Sequence, residues 1–517
     1  MTVSRLPYLL ALAALSLTPI AGNAQDGWLV FRGNAQRTGA ASKLPAWDKR
    51  TAWQRPLLMD KYRDLDTDPD QPAKDLIDRL RKGADPTILP AFAPIVVKDL
   101  CIFVSYRDLR CVYMQARKMD EDKFPVAAGD IRWKAIPPDS AMSVCAEDMR
   151  RRLNLQHLTT LLEQSKQSHW LYANPMIGAI NADDELVYAV EDVPIPVARW
   201  PKDAKKTDLF QWRRFTSGNA VTAYHGVSGK IIWEIHRIDG AAPPELKESF
   251  FLSAPLPVEN KLYLLSEHTG TLRLLAIDRD RKQWPHAASP PLEKSLVLLE
   301  IRDAERAPNH LLRRTQPLHI AHSDGLLVCP THAGVLLGVD RVKMAVRWQY
   351  RYRAEKAEPA ALPYWQAACP IIHKDRIVFT AADAPEIHCV GLDGAKKWAV
   401  PADKDLYLAT VHDDLVLLVG KTHCRALALA DGIQKWTLEM GLPAGVGVKD
   451  GSLYYVPLKR DVITDGPTIW AIDLAMGTKA RRVQVPNPDA LGNLALHRGM
   501  FVSQSVTHIA AFPLGAK

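Results

Sequence analysis

Asp64, Asp66, Asp68 and Asp70, followed by Asp75, set carboxylates at positions 1, 3, 5, 7 and 12 of a short loop, an alternation that can surround a hard cation such as calcium. Pro69 holds the sixth position, where a twelve-residue calcium loop needs glycine, and the last ligand is aspartate rather than glutamate. The stretch therefore reads as a calcium loop or as a solvated acidic turn. His319, His322 and His332 lie within one repeat, and His423 stands beside Cys424. A metal would need three or four of these donors to converge with a second shell behind them; otherwise they are surface or satisfied core histidines. The recognised catalytic signatures are missing: no Gly-x-Ser-x-Gly elbow, no His-Glu-x-x-His pair, no glycine-rich phosphate loop with its lysine, and no Cys-x-x-Cys-His.

What would position such residues is a pattern that the chain repeats. Ala426-Leu427-Ala428-Leu429-Ala430-Asp431-Gly432-Ile433-Gln434-Lys435-Trp436 is an alternating strand, an Asp-Gly turn and a second strand carrying tryptophan, which is a hairpin signal. It recurs up to Trp233, Trp284, Trp348 and Trp398, and at Ile469 to Arg482 with Ala480 in the tryptophan position. An apolar hairpin led by proline precedes each unit, as at Ala254-Pro255-Leu256 and Cys369-Pro370-Ile371. Four short strands per repeat make a propeller blade. Trp133, Trp233, Trp284, Trp348, Trp398 and Trp436 are 38 to 100 residues apart; the tighter spacings match the ~40 to 50 residues of a blade and the wider ones hold insertions. These tryptophans are expected to be structural, filling the gaps between adjacent blades. The fold class is all-β, an eight-bladed β-propeller with starts near Pro94, Pro175, Pro255, Pro317, Pro370, Leu406, Pro443 and Leu491; misreading one weak blade would make it seven. Trp53 belongs to a strand without partners, and His508 to Phe512 lack their last member, so pairing the two ends closes the ring and removes its exposed edges.

Residues 1–24 carry one arginine, an apolar run from Leu6 to Ile20 broken by Pro7 and Pro19, and small residues at the end, as in a cleaved secretory signal. No later run is long enough to span a membrane. Residues 25–517 are expected to form one domain, interrupted near 60–90, where a helix is predicted at 72–82, near 141–170, with a helical pattern, and near 191–216, a long loop. The formal charge of +8 on 517 residues is modest. It is dispersed apart from Arg150-Arg151-Arg152, which argues against nucleic acid. Among the seven cysteines, Cys101 and Cys111 read equally as a bridged pair across a hairpin centred near Tyr106 and as small buried strand residues.

The opening Trp28-Leu29-Val30-Phe31-Arg32-Gly33-Asn34-Ala35-Gln36-Arg37-Thr38-Gly39, ahead of the tryptophan-bearing hairpins, resembles the start of exported proteins with PQQ-like (pyrroloquinoline-quinone-type) propeller repeats. The resemblance covers nearly all of the chain after residue 24. It implies one of two functions. In the BamB outer-membrane assembly lipoproteins the fold holds protein partners; in the quinoprotein dehydrogenases, glutamate, asparagine and aspartate from particular blades hold the quinone and calcium. The BamB lipoproteins need a cysteine directly after the signal, whereas the first here is Cys101, so no lipid anchor is expected. The dehydrogenases often carry adjacent cysteines, which this chain lacks, and none of their ligands maps onto a position here. The expectation is an exported, periplasmic or extracellular, non-catalytic scaffold without cofactor, binding a protein partner through loops on one face. The alternative is a PQQ- and calcium-dependent alcohol or sugar dehydrogenase, with carboxylates converging at the channel mouth. Trp200, Trp212 and Trp365, in loop-like stretches, suggest carbohydrate as a third ligand class.

Overall fold

Alternating strands joined by short turns fold into eight antiparallel sheets arranged as a propeller. The structure is a computed structural model. It describes residues 27–41, 44–48, 50–58, 85–106, 108–118, 125–135, 175–191, 219–235, 249–268, 270–279, 292–301, 313–354 and 369–515, with residue 246 and scattered positions between 74 and 82. Blade 1 runs from Ile95–Val97 to Ile131–Ala135, blade 2 from Ile180–Ala182 to Ile231–Ile235, blade 3 from Leu256–Val258 to Leu292–Glu300, and blade 4 from Ala321–Ser323 to Ala345–Arg351. Blade 5 runs from Ile371–His373 to Lys396–Pro401, blade 6 from Asp405–His412 to Gln434–Glu439, and blade 7 from Val448–Asp450 to Thr478–Val483. Blade 8 combines Asn493–His497, Met500–Gln504 and His508–Pro513 with Trp53–Pro56 as its outermost strand, Trp53 opposite Ala511 and Pro56 opposite His508. The two ends of the chain thus close the ring as the sequence predicts.

In a four-stranded antiparallel blade, the connections to the next blade and those between the second and third strands leave from one end of the ring, here the upper end. The other hairpins leave from the lower end. The predicted insertions near 60–90, 141–170 and 191–216 all interrupt upper-end connections, as do residues 236–249, 301–320 and 352–370. Residues 141–170 and 192–216 themselves lie outside the described residues, together with the predicted signal at 1–24, Arg150 to Arg152, Trp200, Trp212 and Trp365. Of the helix predicted at 72–82, residues 74, 75, 77, 78 and 82 are helical, with Ile77 buried.

Blades are joined at the lower rim by indoles. Trp133, Trp348, Trp398 and Trp436 each follow a β-bulge in the outermost strand and donate the Nε1 hydrogen to a carbonyl of the next blade: Gly226, Leu392, Leu429 and Leu474, at 2.7 to 3.1 Å. Each ring lies on a glycine of the receiving turn: Gly229, Gly394, Gly432 and Gly477, all with φ between +66° and +80°. A Cβ at Gly432 would sit 2.9 Å from the Trp398 ring, so the position needs glycine both for the left-handed backbone and for the close approach. Trp53 likewise lies on Gly129, where a Cβ would come within 3.0 Å of the ring, but its buried Nε1 has no partner. Trp284 lies outside the described residues, and in blade 3 the register position is held by Lys294, opposite Ala276. In blade 7 it is Arg481, opposite Ala471, rather than Ala480. The turn that faces blade 3 carries Met344, at φ +50°, where the four receiving turns have glycine. Trp233 of blade 2 holds the same register position, opposite Ala223 after a bulge, but no glycine occurs in the sequence from 279 to 291 that joins the last two strands of blade 3.

The hairpin at Cys101 and Cys111 forms, one residue away from the predicted register. Cys111 stands opposite Ile102 and Cys101 opposite Val112. A slip of one residue turns a side chain to the other face of the sheet, so the two sulfurs point away from each other and both cysteines are free and buried.

Candidate functional site on the propeller axis

The first strands of the blades surround an axis, and the chain fills it with its own residues 27–41. Gly27 and Trp28 pair with Val97 and Val96 of blade 1. Ala182 of blade 2 donates its N–H to Leu29 O at 2.7 Å, His322 of blade 4 to Ala35 O at 2.9 Å, Ile372 of blade 5 to Gln36 O at 3.2 Å, and Lys449 of blade 7 to Gly39 O at 2.8 Å. From blade 6, the Thr410 hydroxyl donates to Thr38 O at 2.8 Å. Within the segment, Arg32, Gly33, Arg37 and Gly39 all have positive φ. The Gly39 N–H donates to Arg32 O, and the Asn34 side chain spans to Thr38 from both its nitrogen and its oxygen. Two arginines held in a conformation that costs a side-chain-bearing residue energy mark a locally strained loop, fixed by what surrounds it.

Both arginines are buried on the axis. Arg32 Nη1 donates to Leu408 O at 2.5 Å; Arg37 donates from Nε to Ile320 O at 3.1 Å and from Nη1 to Phe31 O at 2.8 Å. Burial pushes the Arg37 guanidinium down to about 10; the nearby Cys369 raises it and Arg32 lowers it. It remains a cation at neutral pH.

Above Phe31 a small recess opens to the upper end. Pro90, Ala91, Ala93, Ile95, Pro175, Gly178, Ala179 and Ile180 line it, with His319 and Asn493 as its polar members. His319 stacks on Phe31, centroids 4.7 Å apart and nearly parallel. Burial, then the charges of Arg37, Arg32 and His332, hold its ring well below the usual histidine range, so it is neutral. Asn493 is fully engaged: its amide nitrogen donates to Pro90 O and Phe92 O, and its oxygen accepts the Val446 N–H. Beside the recess, Asp383 is buried and saturated, accepting from Gly334 N at 2.9 Å, the Tyr352 hydroxyl at 2.7 Å and Arg353 at 3.1 Å. His332 accepts the Ala382 N–H at Nδ1 at 3.3 Å, and burial lowers it to about 4.

The residues singled out in the sequence do not converge. Asp75 is exposed on the helix, while Asp64, Asp66, Asp68 and Asp70 lie outside the described residues. His322 sits in the first strand of blade 4. His423 lies 3.7 Å from Asp405, whose carboxylate also takes Arg425, and Cys424 is a buried thiol. No group of three or more histidine, cysteine or acidic side chains is arranged to hold a metal among the described residues. Calcium and a quinone need acidic and amide oxygens aimed at one point; the recess offers a neutral imidazole and an asparagine whose polar atoms are already bonded, so its described lining does not fit them. Arg32 and Arg37, quoted in the sequence only as part of the opening motif, are the charged side chains of segment 27–41. No periodic signal marks them, because the segment occurs once.

The family model of the outer membrane protein assembly factor BamB matches residues 364–494. The quinohemoprotein alcohol dehydrogenase from Comamonas testosteroni superposes with a TM-score of 0.52 at 9% identity, over 95% of this chain and 81% of that one. A europium-containing methanol dehydrogenase gives 0.50 at 11%, over 93% and 90%. BamB from Moraxella catarrhalis gives 0.47 at 12%, over 82% and 96%. No curated protein matches the chain in sequence. Among the described residues, no helix is long and apolar enough to cross a membrane.

Proposed function

We propose that this chain, a PQQ-like β-propeller, is an exported, non-catalytic scaffold that binds a protein partner through the connections at the upper end of its ring. The observation that carries this reading is the axis itself. Residues 27–41 occupy it, bonded to blades 1, 2, 4, 5, 6 and 7. The recess above them is apolar, without a carboxylate among its described lining residues. A dehydrogenase of this fold needs a base and cation ligands at that mouth. Connections that vary in length over a rigid body are where binding surfaces tend to be built, and here the longest ones, among them 136–179 and 192–219, share one end. The name of the matching family, an outer membrane protein assembly factor, supports a protein partner outside the cytoplasm. The apolar run at Leu6 to Ile20 supports export.

Calorimetry of the purified chain with pyrroloquinoline quinone and calcium, beside a dye-linked alcohol or sugar oxidation assay, tests the reading. No heat of binding and no turnover are expected; stoichiometric binding with turnover would replace the scaffold by the dehydrogenase. In vivo crosslinking should then capture the same partner with the full chain and lose it when 192–218 is replaced by a short Gly-Ser linker. Capture that persists without any upper-end connection would move the surface elsewhere.

A further inference from the structure

Two guanidinium groups are enclosed on the axis, and among the described residues nothing near them balances their charge. Arg32 is 6% and Arg37 0% exposed. Their bonding partners are all backbone carbonyls, Leu408 O for Arg32 and Ile320 O and Phe31 O for Arg37. The groups that come electrostatically closest are neutral. Burial raises the Cys369 thiol and the Tyr407 and Tyr454 phenols, and it lowers His319. A buried cation without a counter-ion is costly, and leaving its donors unmade adds to that cost.

The donors left unmade are on one edge. Arg32 Nε and Nη2 are buried and have no partner. This is the edge on which a guanidinium grips an anion with two parallel bonds. It faces Gly39, where a Cβ would lie 3.6 Å from Nη2, 3.7 Å from Nε and 3.5 Å from Ala409 O. Those are ordinary contact distances, so a methyl-sized volume lies open against the free edge. That volume suits a halide or one oxygen of a formate-sized carboxylate.

We infer that the propeller axis holds one small monovalent anion, of halide or formate size, on the Nε–Nη2 edge of Arg32, with Arg37 supplying the second positive charge. The ion is structural. It balances the two arginines and fixes the strained loop from Arg32 to Gly39 against blade 6. The same free edge explains the glycine at 39: besides its φ of +66°, a side chain there would fill the ion's place.

The test is a thermal unfolding series at constant ionic strength in which a bulky organic sulfonate is exchanged for chloride, bromide or formate. An ion bound only by the folded chain should raise the midpoint by about 2 to 4 °C between ~1 mM and ~200 mM. Chloride and formate separate the two sources, since a carboxylate site responds more to formate and a halide site more to chloride and bromide. Arg32→Met should remove the dependence. Because that variant could fail to fold, crystals of the unaltered chain grown in bromide give the second reading: an anomalous peak beside Arg32 Nε and Nη2. A flat series without a peak, or a water there and no anion dependence, overturns the inference. So does a dependence that survives in folded Arg32→Met.

Discussion

At the rim, blades 1, 4, 5 and 6 each pass an indole to a glycine turn of the next, so the same joint recurs around the ring. On the axis, residues 27–41 occur once and touch six blades. The rim is therefore redundant. Blade 3 has Lys294 in place of the indole and Met344 in place of the facing glycine, and the ring still closes. The axis has no spare copy, and its bonds are backbone bonds to the surrounding blades joined by those of two buried arginines to carbonyls. Nearest-neighbour packing can lose one joint and keep the others, whereas a shared central segment ties all blades to one set of contacts.

Mutations can sharpen or break this contrast. The largest effect is expected at a well-buried rim joint: Trp398→Ala removes an indole that is 6% exposed and its bond to Leu429 O, costing about 4 kcal/mol in denaturant unfolding. Trp348→Ala, at a more exposed joint, should cost visibly less. Equal losses would mean that the joints are not graded by burial.

Next comes the axis. Arg37→Met strands the carbonyls of Ile320 and Phe31, for a loss of about 3 kcal/mol and a single transition in which all blades unfold together. An early transition confined to part of the ring would show that the axial segment does not couple the blades.

A smaller effect follows from acid. Burial lowers His332 to about 4 and holds His319 well below its usual range. As pH falls through 6.5 the unfolded chain takes up protons that the folded chain refuses. The contribution of His332 is thus complete above pH 6.5 and lost between there and about 4, by about 1 to 2 kcal/mol down to pH ~5. His332→Gln should flatten the dependence of the midpoint on pH in that window; an unchanged slope would remove His332 from the account.

The smallest effect tests the pairing of indole and glycine. Lys294→Trp and Met344→Gly together should stabilise blade 3 against blade 4 by about 1 kcal/mol more than the sum of the single changes. Additive effects would make their joint absence a coincidence.

The blades were legible because burial imposes a period on the sequence, and eight starts and the closing strand at Trp53 emerge from it. What failed lay below that resolution. Cys101 and Cys111 needed the register to one residue, which turn spacing alone leaves open. Lys294 was hidden because Trp284 offered a nearer tryptophan than the residue across the bulge, and Arg481 because the bulge adds one residue to the count from Ala480. Arg32 and Arg37 were visible as letters, yet their burial depends on blades several hundred residues away, which no local pattern records.

The early position of the axial segment has a consequence for how the molecule is made. Arg32 meets Leu408 across 376 positions of sequence, and Trp53–Pro56 finds its partner strand only at His508–Pro513. Residues 27–56 therefore precede in sequence the strands they meet and are among the last to find their places. Until blade 8 forms the ring keeps an open seam, and the final step is a long-range closure whose entropy local contacts cannot offset beforehand. Maturation should accordingly be slow and sensitive to anything that masks either end.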